Sequence, residues 1–287
     1  MEVKDIERSI IKKYKRTIFS KFLKAVKEYK LVEENDSIAV CISGGKDSFL
    51  LAKCMQELKI HSKYNFDLKF IVMNPGYNEE NLKLIKENIK KLNVDAIIYE
   101  SNIFDQIKDT TSPCYLCARK RRGSLYDKAQ SLGCNKIALG HHFDDVIETI
   151  MLNILYAGEY KTMMPKLKSK NFENMELIRP LYLVKEKDII SWANYNELKF
   201  IDCACKITKK NLGKRKEIKN LIKSLKETNE NVDINIFRSS ENISIDSILG
   251  YKYKNKDKKV SFLEEYDDWQ SICKIKNHIE IQKRNKM

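Results

Sequence analysis

A helical stripe opens the chain. Ile6, Ile10, Ile11, Tyr14, Ile18, Phe19, Phe22, Leu23 and Val26 recur at steps of three and four through a charged stretch without turn residues, which predicts an amphipathic N-terminal helix within residues 1–36. At Ser37 the period changes: Ser37–Ile42 is a short apolar run ending in Ser-Gly-Gly, the pattern of a buried parallel strand that enters a tight turn. Strand-like runs over 67–73, 95–99 and 136–139 then alternate with helical patterns over 47–58, 78–92 and 117–132. Such β-α-β alternation predicts an α/β fold built on a doubly wound parallel sheet.

The pattern loosens after Tyr156. Ala157-Gly158 and the lysines through Lys170 predict an exposed, mobile connection, after which residues 178–181 return to the sheet edge. Helical periodicity resumes over 186–196 and in a strongly basic stretch over 211–227, leaving a small C-terminal region without repeats. The expected organisation is an N-terminal helical segment (1–36), an α/β domain (37–185) and a C-terminal region (186–287). With 287 residues the chain can bury a sizeable core without staples. Its formal net charge of +14, mostly lysine, suits a polyanionic partner such as RNA. No apolar run approaches the roughly 20 residues that span a bilayer, so no membrane partner and a cytoplasmic location are expected.

Chemistry enters first at Ser43-Gly44-Gly45-Lys46-Asp47-Ser48, between the first strand and its helix. Glycines let backbone N–H groups converge, and a helix N-terminus adds partial positive charge, so this turn favours a phosphate. Lys46 is placed to neutralise phosphate charge, and Asp47 to hold a magnesium ion bridging the phosphates. The longer spacing and terminal Lys-Ser/Thr of the kinase-type loop are missing. The motif resembles the SGGxDS signature of the PP-loop ATP pyrophosphatases. That resemblance implies that ATP is bound by its pyrophosphate end and that AMP is transferred to an oxygen, which becomes a leaving group. A second motif, Gly140-His141-His142-Phe143-Asp144-Asp145, also follows a strand and opens a helix. It falls at the carboxyl edge of the same sheet, where Gly140, His142 and Asp144 or Asp145 can meet the nucleotide or its metal.

Reducing conditions turn attention to clustered cysteines as metal ligands or reagents. Cys41, Cys54, Cys134 and Cys273 stand alone and read as core residues, whereas Cys114 and Cys117 form a CxxC, and Cys203 and Cys205 a later pair. Two thiolates at CxxC spacing cannot complete a tetrahedral site, so Cys203 or Cys205 would supply a third; zinc held by all four satisfies the ligand count equally well. Basic residues follow the CxxC at Lys120, Arg121 and Arg122 and recur at Lys214 and Arg215, as candidate phosphate contacts for RNA.

SGGKDS, Pro113-Cys114-x-x-Cys117-Ala-Arg-x-Arg-Arg-Gly, GHHxDD, Arg179-Pro180-Leu181, Cys203 and Asn235-Ile236-Phe237-Arg238 occur in an order that resembles the tRNA 2-thiocytidine synthetases. The resemblance covers most of the chain. It implies a 4Fe-4S cluster on Cys114, Cys117 and Cys203, although Cys205 departs from the family spacing. It implies adenylation of the C2 oxygen of an anticodon-loop cytidine, at position 32 of the tRNA, followed by its replacement with sulfur. In that scheme Lys46 and the loop amides bind phosphate, Asp47 and Asp144 handle magnesium, and the cysteines serve sulfur delivery. A cysteine desulfurase or another sulfide donor and a homodimer are implied as partners. The ATP loop alone also fits a wobble-uridine thiolase, a lysidine-forming ligase or a non-enzymatic nucleotide- and RNA-binding module; lysidine formation has no use for the cysteines.

Overall fold

The structure, a computed structural model, describes residues 2–101, 113–201, 213–252 and 259–263. Cys203, Cys205 and Cys273 lie outside the described residues, and of Cys114 and Cys117 only the helical backbone is described. Residues 1–237 form one compact unit and 238–287 a second. The second contains a two-stranded antiparallel hairpin, Gly250–Lys252 with Lys259–Ser261.

In the first unit, β1 (Ser37–Ile42), β2 (Asp67–Asn74), β3 (Ala96–Glu100) and β4 (Lys136–Ala138) pair in parallel in the order β3-β2-β1-β4. The helices α3 (Lys46–His61) and α4 (Glu79–Lys91) connect β1 to β2 and β2 to β3. Successive side chains of β1 alternate between two faces, as the period of two requires: Ile38, Val40 and Ile42 join the larger core with Phe49, Leu50 and Ile85, whereas Ala39 and Cys41 join the smaller one beneath α5 (Pro113–Ser131). Cys41, Cys54 and Cys134 are buried, free thiols, as expected of isolated cysteines.

Most of the N-terminal stripe is buried as its period requires, with Leu23 left exposed, but over two helices rather than one. α1 (Val3–Ile11) and α2 (Ser20–Glu28) are joined through a π-helical turn at Lys15–Phe19, with Ile6, Ile10, Tyr14, Ile18 and Phe22 all in the main core. A second difference lies past Tyr156. Instead of a wholly irregular connection, β5 (Lys166–Lys168) pairs antiparallel with β6 (Glu176–Ile178), and β6 continues the sheet beside β4. The edge strand is therefore β5, with β6 one position inside it. Lys166 owes its place to charge: its Nζ reaches Glu33 at 2.8 Å and Glu176 at 3.2 Å, so the lysine excess that reads as solvated surface is pinned to the sheet. The remaining helices of this unit are α6 (Phe143–Leu152), α7 (Glu186–Tyr195), α8 (Gly213–Thr228) and most of α9 (Val232–Ser239).

Strand order runs outward in both directions from β1 and β4, so the sheet reverses its winding between them. The crevice beyond the carboxyl ends of such a pair is where open α/β sheets bind ligands. Ser43 follows β1 and Gly140 follows β4.

Candidate functional site

The loop after β1 is built to leave its backbone facing the crevice. Gly44 takes φ +88°, a left-handed value that disfavours a side chain, and a Cβ there would stand 2.6 Å from Ile201 Cδ1 and 2.8 Å from Ile85 Cγ1. Ser48, in the first turn of α3, folds back: its hydroxyl accepts from Ser43 N at 3.1 Å and donates to Gly45 O at 2.9 Å. Tyr77 donates its hydroxyl to Ser43 O at 3.1 Å. The turn is thereby fixed from both sides, and the first-turn amides of α3, which have no intrahelical acceptors, are held for an anion.

The second motif comes against the first with no space to spare. A Cβ on Gly140 would lie 3.0 Å from both Asp47 C and Ser48 N. Only a glycine lets the end of β4 slide under the start of α3. His142 precedes α6, and its N–H donates to Asp145 Oδ2 at 3.1 Å. The buried His142 ring puts Nε2 at 3.5 Å from Asp145 and 3.8 Å from Asp47, with Nδ1 at 3.8 Å from Asp144. Asp144 Oδ2 also accepts the N–H of Glu186 at 2.6 Å, tying this cluster to the start of α7.

Burial and charge set the protonation states. Burial pushes the Asp47 carboxyl above the usual range, against the pull of His142 and Lys46. Burial also drives His141 down to about 4, so it is a neutral imidazole at neutral pH. At Asp145 burial is outweighed by His142, His141 and Arg215, and its carboxyl is held low. Three polar atoms are buried here without a hydrogen-bond partner: Asp47 Oδ1, His141 Nδ1 and His142 Nδ1.

A cavity of about 280 Å³ lies between the motifs, lined by Ser43, Asp47, Ser48, Gly140, His141 and Asp145, and on the far side by Arg121 and Leu125 of α5. Its volume falls below that of typical pockets for whole ligands, which suits part of a nucleotide. Positions 114, 117, 121 and 125 follow one another at three- and four-residue steps along α5, so the CxxC belongs to the same helical stripe as the two residues that line the cavity. Arg121 also reaches the Tyr77 hydroxyl at 3.4 Å.

The basic residues singled out in the sequence divide. Lys120 and Arg122 are exposed, whereas Arg121 faces the cavity. Lys214 lies over the Tyr156 ring at 4.7 Å, and Arg215 turns inward to Glu148 at 2.8 Å and Asp145 at 3.5 Å. Sequence reasoning missed Glu186, whose carboxylate holds Lys46 Nζ at 3.2 Å and also contacts Lys219. No motif announces Glu186, because its role depends on where α7 starts relative to the loop. Among the described residues no three His, Cys, Asp or Glu groups converge as a ready-made metal site. Asp47 Oδ1, buried without a hydrogen-bond partner although Lys46 Nζ lies 3.3 Å away, nevertheless suits magnesium, which takes one or two carboxylates.

The PP-loop domain family (ATP_bind_3) matches residues 14–224. The tRNA-cytidine(32) 2-sulfurtransferase of Geobacter metallireducens is 36% identical over 77% of this chain and 87% of its own length. That of Alcanivorax borkumensis is 35% identical over 83% of this chain and 84% of its own. The protein of the same name from Aeromonas salmonicida is 40% identical over 69% of this chain, which spans 66% of that relative, just under two thirds. Among solved structures, the U34-tRNA thiolase NcsA from Methanococcus maripaludis with its 4Fe-4S cluster superimposes with a TM-score of 0.62 at 24% identity, covering 77% of this chain and 76% of the other; at that identity the match establishes a common fold.

Proposed function

This chain belongs to the PP-loop family and, within it, to the tRNA-cytidine(32) 2-sulfurtransferases, and from that premise we propose that it adenylates the C2 oxygen of a tRNA anticodon-loop cytidine and exchanges that oxygen for sulfur. The observation that carries the reading is α5 itself: positions 114 and 117 stand three- and four-residue steps before the cavity-lining Arg121 and Leu125, so the CxxC motif and the candidate nucleotide cavity belong to one helix.

The first step needs charge control at the phosphates. ATP enters with its β- and γ-phosphates over the first-turn amides of α3, and Lys46 moves from Glu186 to the phosphate oxygens. Asp47 is the residue that would hold a magnesium ion, which when bound would supply positive charge to offset that of the departing pyrophosphate. The C2 oxygen of cytosine attacks the α-phosphorus; the bond to the bridging oxygen breaks, and pyrophosphate leaves. Arg121 and His141 both line the cavity, where Arg121 would offset the charge on the α-phosphate and neutral His141 would hydrogen-bond the base without competing for its protons. In the second step a sulfide attacks C2, the bond from C2 to the adenylated oxygen breaks, and AMP departs with that oxygen. Cys114, Cys117 and Cys203 are the residues that would hold a 4Fe-4S cluster, which when bound supplies a site for that sulfide. Three cysteine thiolates are a donor set whose chemistry would suit such a cluster. A cysteine desulfurase or another sulfide donor, a cytoplasmic location and a homodimer belong to the same reading.

The test is nucleoside analysis of bulk tRNA from a strain that lacks 2-thiocytidine and carries this gene. Return of 2-thiocytidine is expected; 2-thiouridine in its place would move the acceptor to uridine, and return of neither would sink the proposal.

A further inference from the structure

Lys219 lies mid-way along α8, in a stretch whose lysines read from the sequence as a solvated or RNA-facing surface. Its ammonium instead contacts Glu186 Oε2, while Lys46 of the phosphate loop sits on Oε1 of the same carboxylate at 3.2 Å. Two ammonium groups on the two oxygens of one carboxylate are no more than about 8 Å apart, two hydrogen-bond lengths plus the width of the group. A diphosphate offers oxygens over a comparable span. The carboxylate is itself anchored, because Glu186 opens α7 and its N–H donates to Asp144 Oδ2 at 2.6 Å. Other charges close by are already matched: Arg215 engages Glu148 and Asp145, and Asp47 has Lys46 at 3.3 Å.

We propose that Lys219 is a second pyrophosphate-binding cation, and that Glu186 is the positioning residue that holds Lys219 and Lys46 at the mouth of the loop until a polyphosphate takes them over. The exchange moves no proton: each ammonium trades a carboxylate oxygen for a phosphate oxygen. Although burial opposes it, contact with Lys219 and Lys46 keeps the Glu186 carboxyl below the usual range, so the holding charge persists at neutral pH. The Lys219 side chain is 55% exposed, which leaves it free to swing between partners but tempers what it contributes. The assignment rests on the PP-loop reading given above and adds to it a cation outside every motif.

Calorimetric titration of the full chain with inorganic pyrophosphate and, separately, with AMP tests it. Lys219→Met is expected to weaken pyrophosphate about fivefold while AMP stays within twofold, and Lys219→Arg to restore most of the loss. In a Glu186→Gln background, Lys219→Met is expected to cost less than twofold, because the lysine is no longer positioned. An unchanged pyrophosphate affinity in Lys219→Met, or equal losses for pyrophosphate and AMP, would overturn the role of Lys219. The full fivefold loss persisting without Glu186 would overturn the positioning role. Wild-type protein that binds neither pyrophosphate nor ATP would remove the underlying PP-loop reading, a failure distinct from an effect missing only in the variants.

Discussion

Gly140 and Asp47 are the point where the two site motifs touch: a Cβ on the glycine would stand 3.0 Å from the aspartate carbonyl carbon. Backbone lies on both sides of that contact, so neither partner can rotate out of the way. Gly140→Ala is therefore expected to push the start of α3 from β4 and to cost about 1–3 kcal/mol in stability. Pyrophosphate release should fall at least tenfold in protein that still melts cooperatively. An alanine variant with wild-type turnover would show that the two motifs move independently.

The loop glycine makes a different prediction. Gly44 has both a left-handed φ and Ile201 and Ile85 within 3 Å of its missing Cβ. Gly44→Ala should cost about 2 kcal/mol or more in a urea melt, since strain and overpacking add. Trimming one obstacle with Ile201→Ala should recover only the share of overpacking due to Ile201, leaving the Ile85 contact and the cost of φ +88° in place.

Asp47 is expected to need both its charge and its metal. Chelation by EDTA should abolish pyrophosphate release, and Asp47→Asn should lower it about 100-fold with little change in melting temperature. Because burial raises this carboxyl above its ordinary range, protons compete with magnesium sooner than at an ordinary aspartate. The magnesium requirement should therefore steepen as pH falls toward the raised value. A requirement that stays flat with pH would show that Asp47 is not the magnesium ligand.

His141 is held neutral by burial, with its pKa lowered to about 4 from an ordinary 6.5. Its ring protons should not shift between pH 8 and 5.5 in an NMR titration. The unfolded chain binds a proton at this residue below pH 6.5 and the folded chain does not until about 4, so His141 removes stability as pH falls through that window. His141→Gln should flatten this part of the melting curve against pH.

Far from the site, Lys136 is a buried lysine at the amino end of β4, 2.7 Å from the buried Asp36 and 3.0 Å from Glu33. Lys136→Met leaves the buried Asp36 without its cation, while Glu33 keeps Lys166, and should cost about 3–5 kcal/mol. Glu33, hydrogen-bonded to Lys166 and Lys136, has its pKa lowered to about 2 from 4.5. Its contribution to stability is full above pH 4.5 and is lost as pH falls toward 2, so Lys136→Met should also weaken the acid dependence between those values.

The parallel strands β1 to β4 and the two motifs were legible in the sequence alone. Ser37–Ile42, with its apolar run and Ser-Gly-Gly, announces a buried strand and turn because strand burial and glycine freedom are local properties, and the alternation of periods fixes the winding. The N-terminal stripe announced which residues are buried, but not the π-turn that divides its helix, since a stripe of similar period survives a small change in winding. β5 was illegible because Lys166 and Lys168 look like solvent-facing residues; pairing with β6 makes an edge strand of them, and Glu33 and Glu176 hold Lys166 against it. The site divides in the same way. Lys46 and Asp47 are legible from their neighbours. Glu186, Lys219 and the inward turn of Arg121 and Arg215 are not, because charge pairing is a property of distance in space, and tertiary packing alone brings α5, α7 and α8 to one crevice.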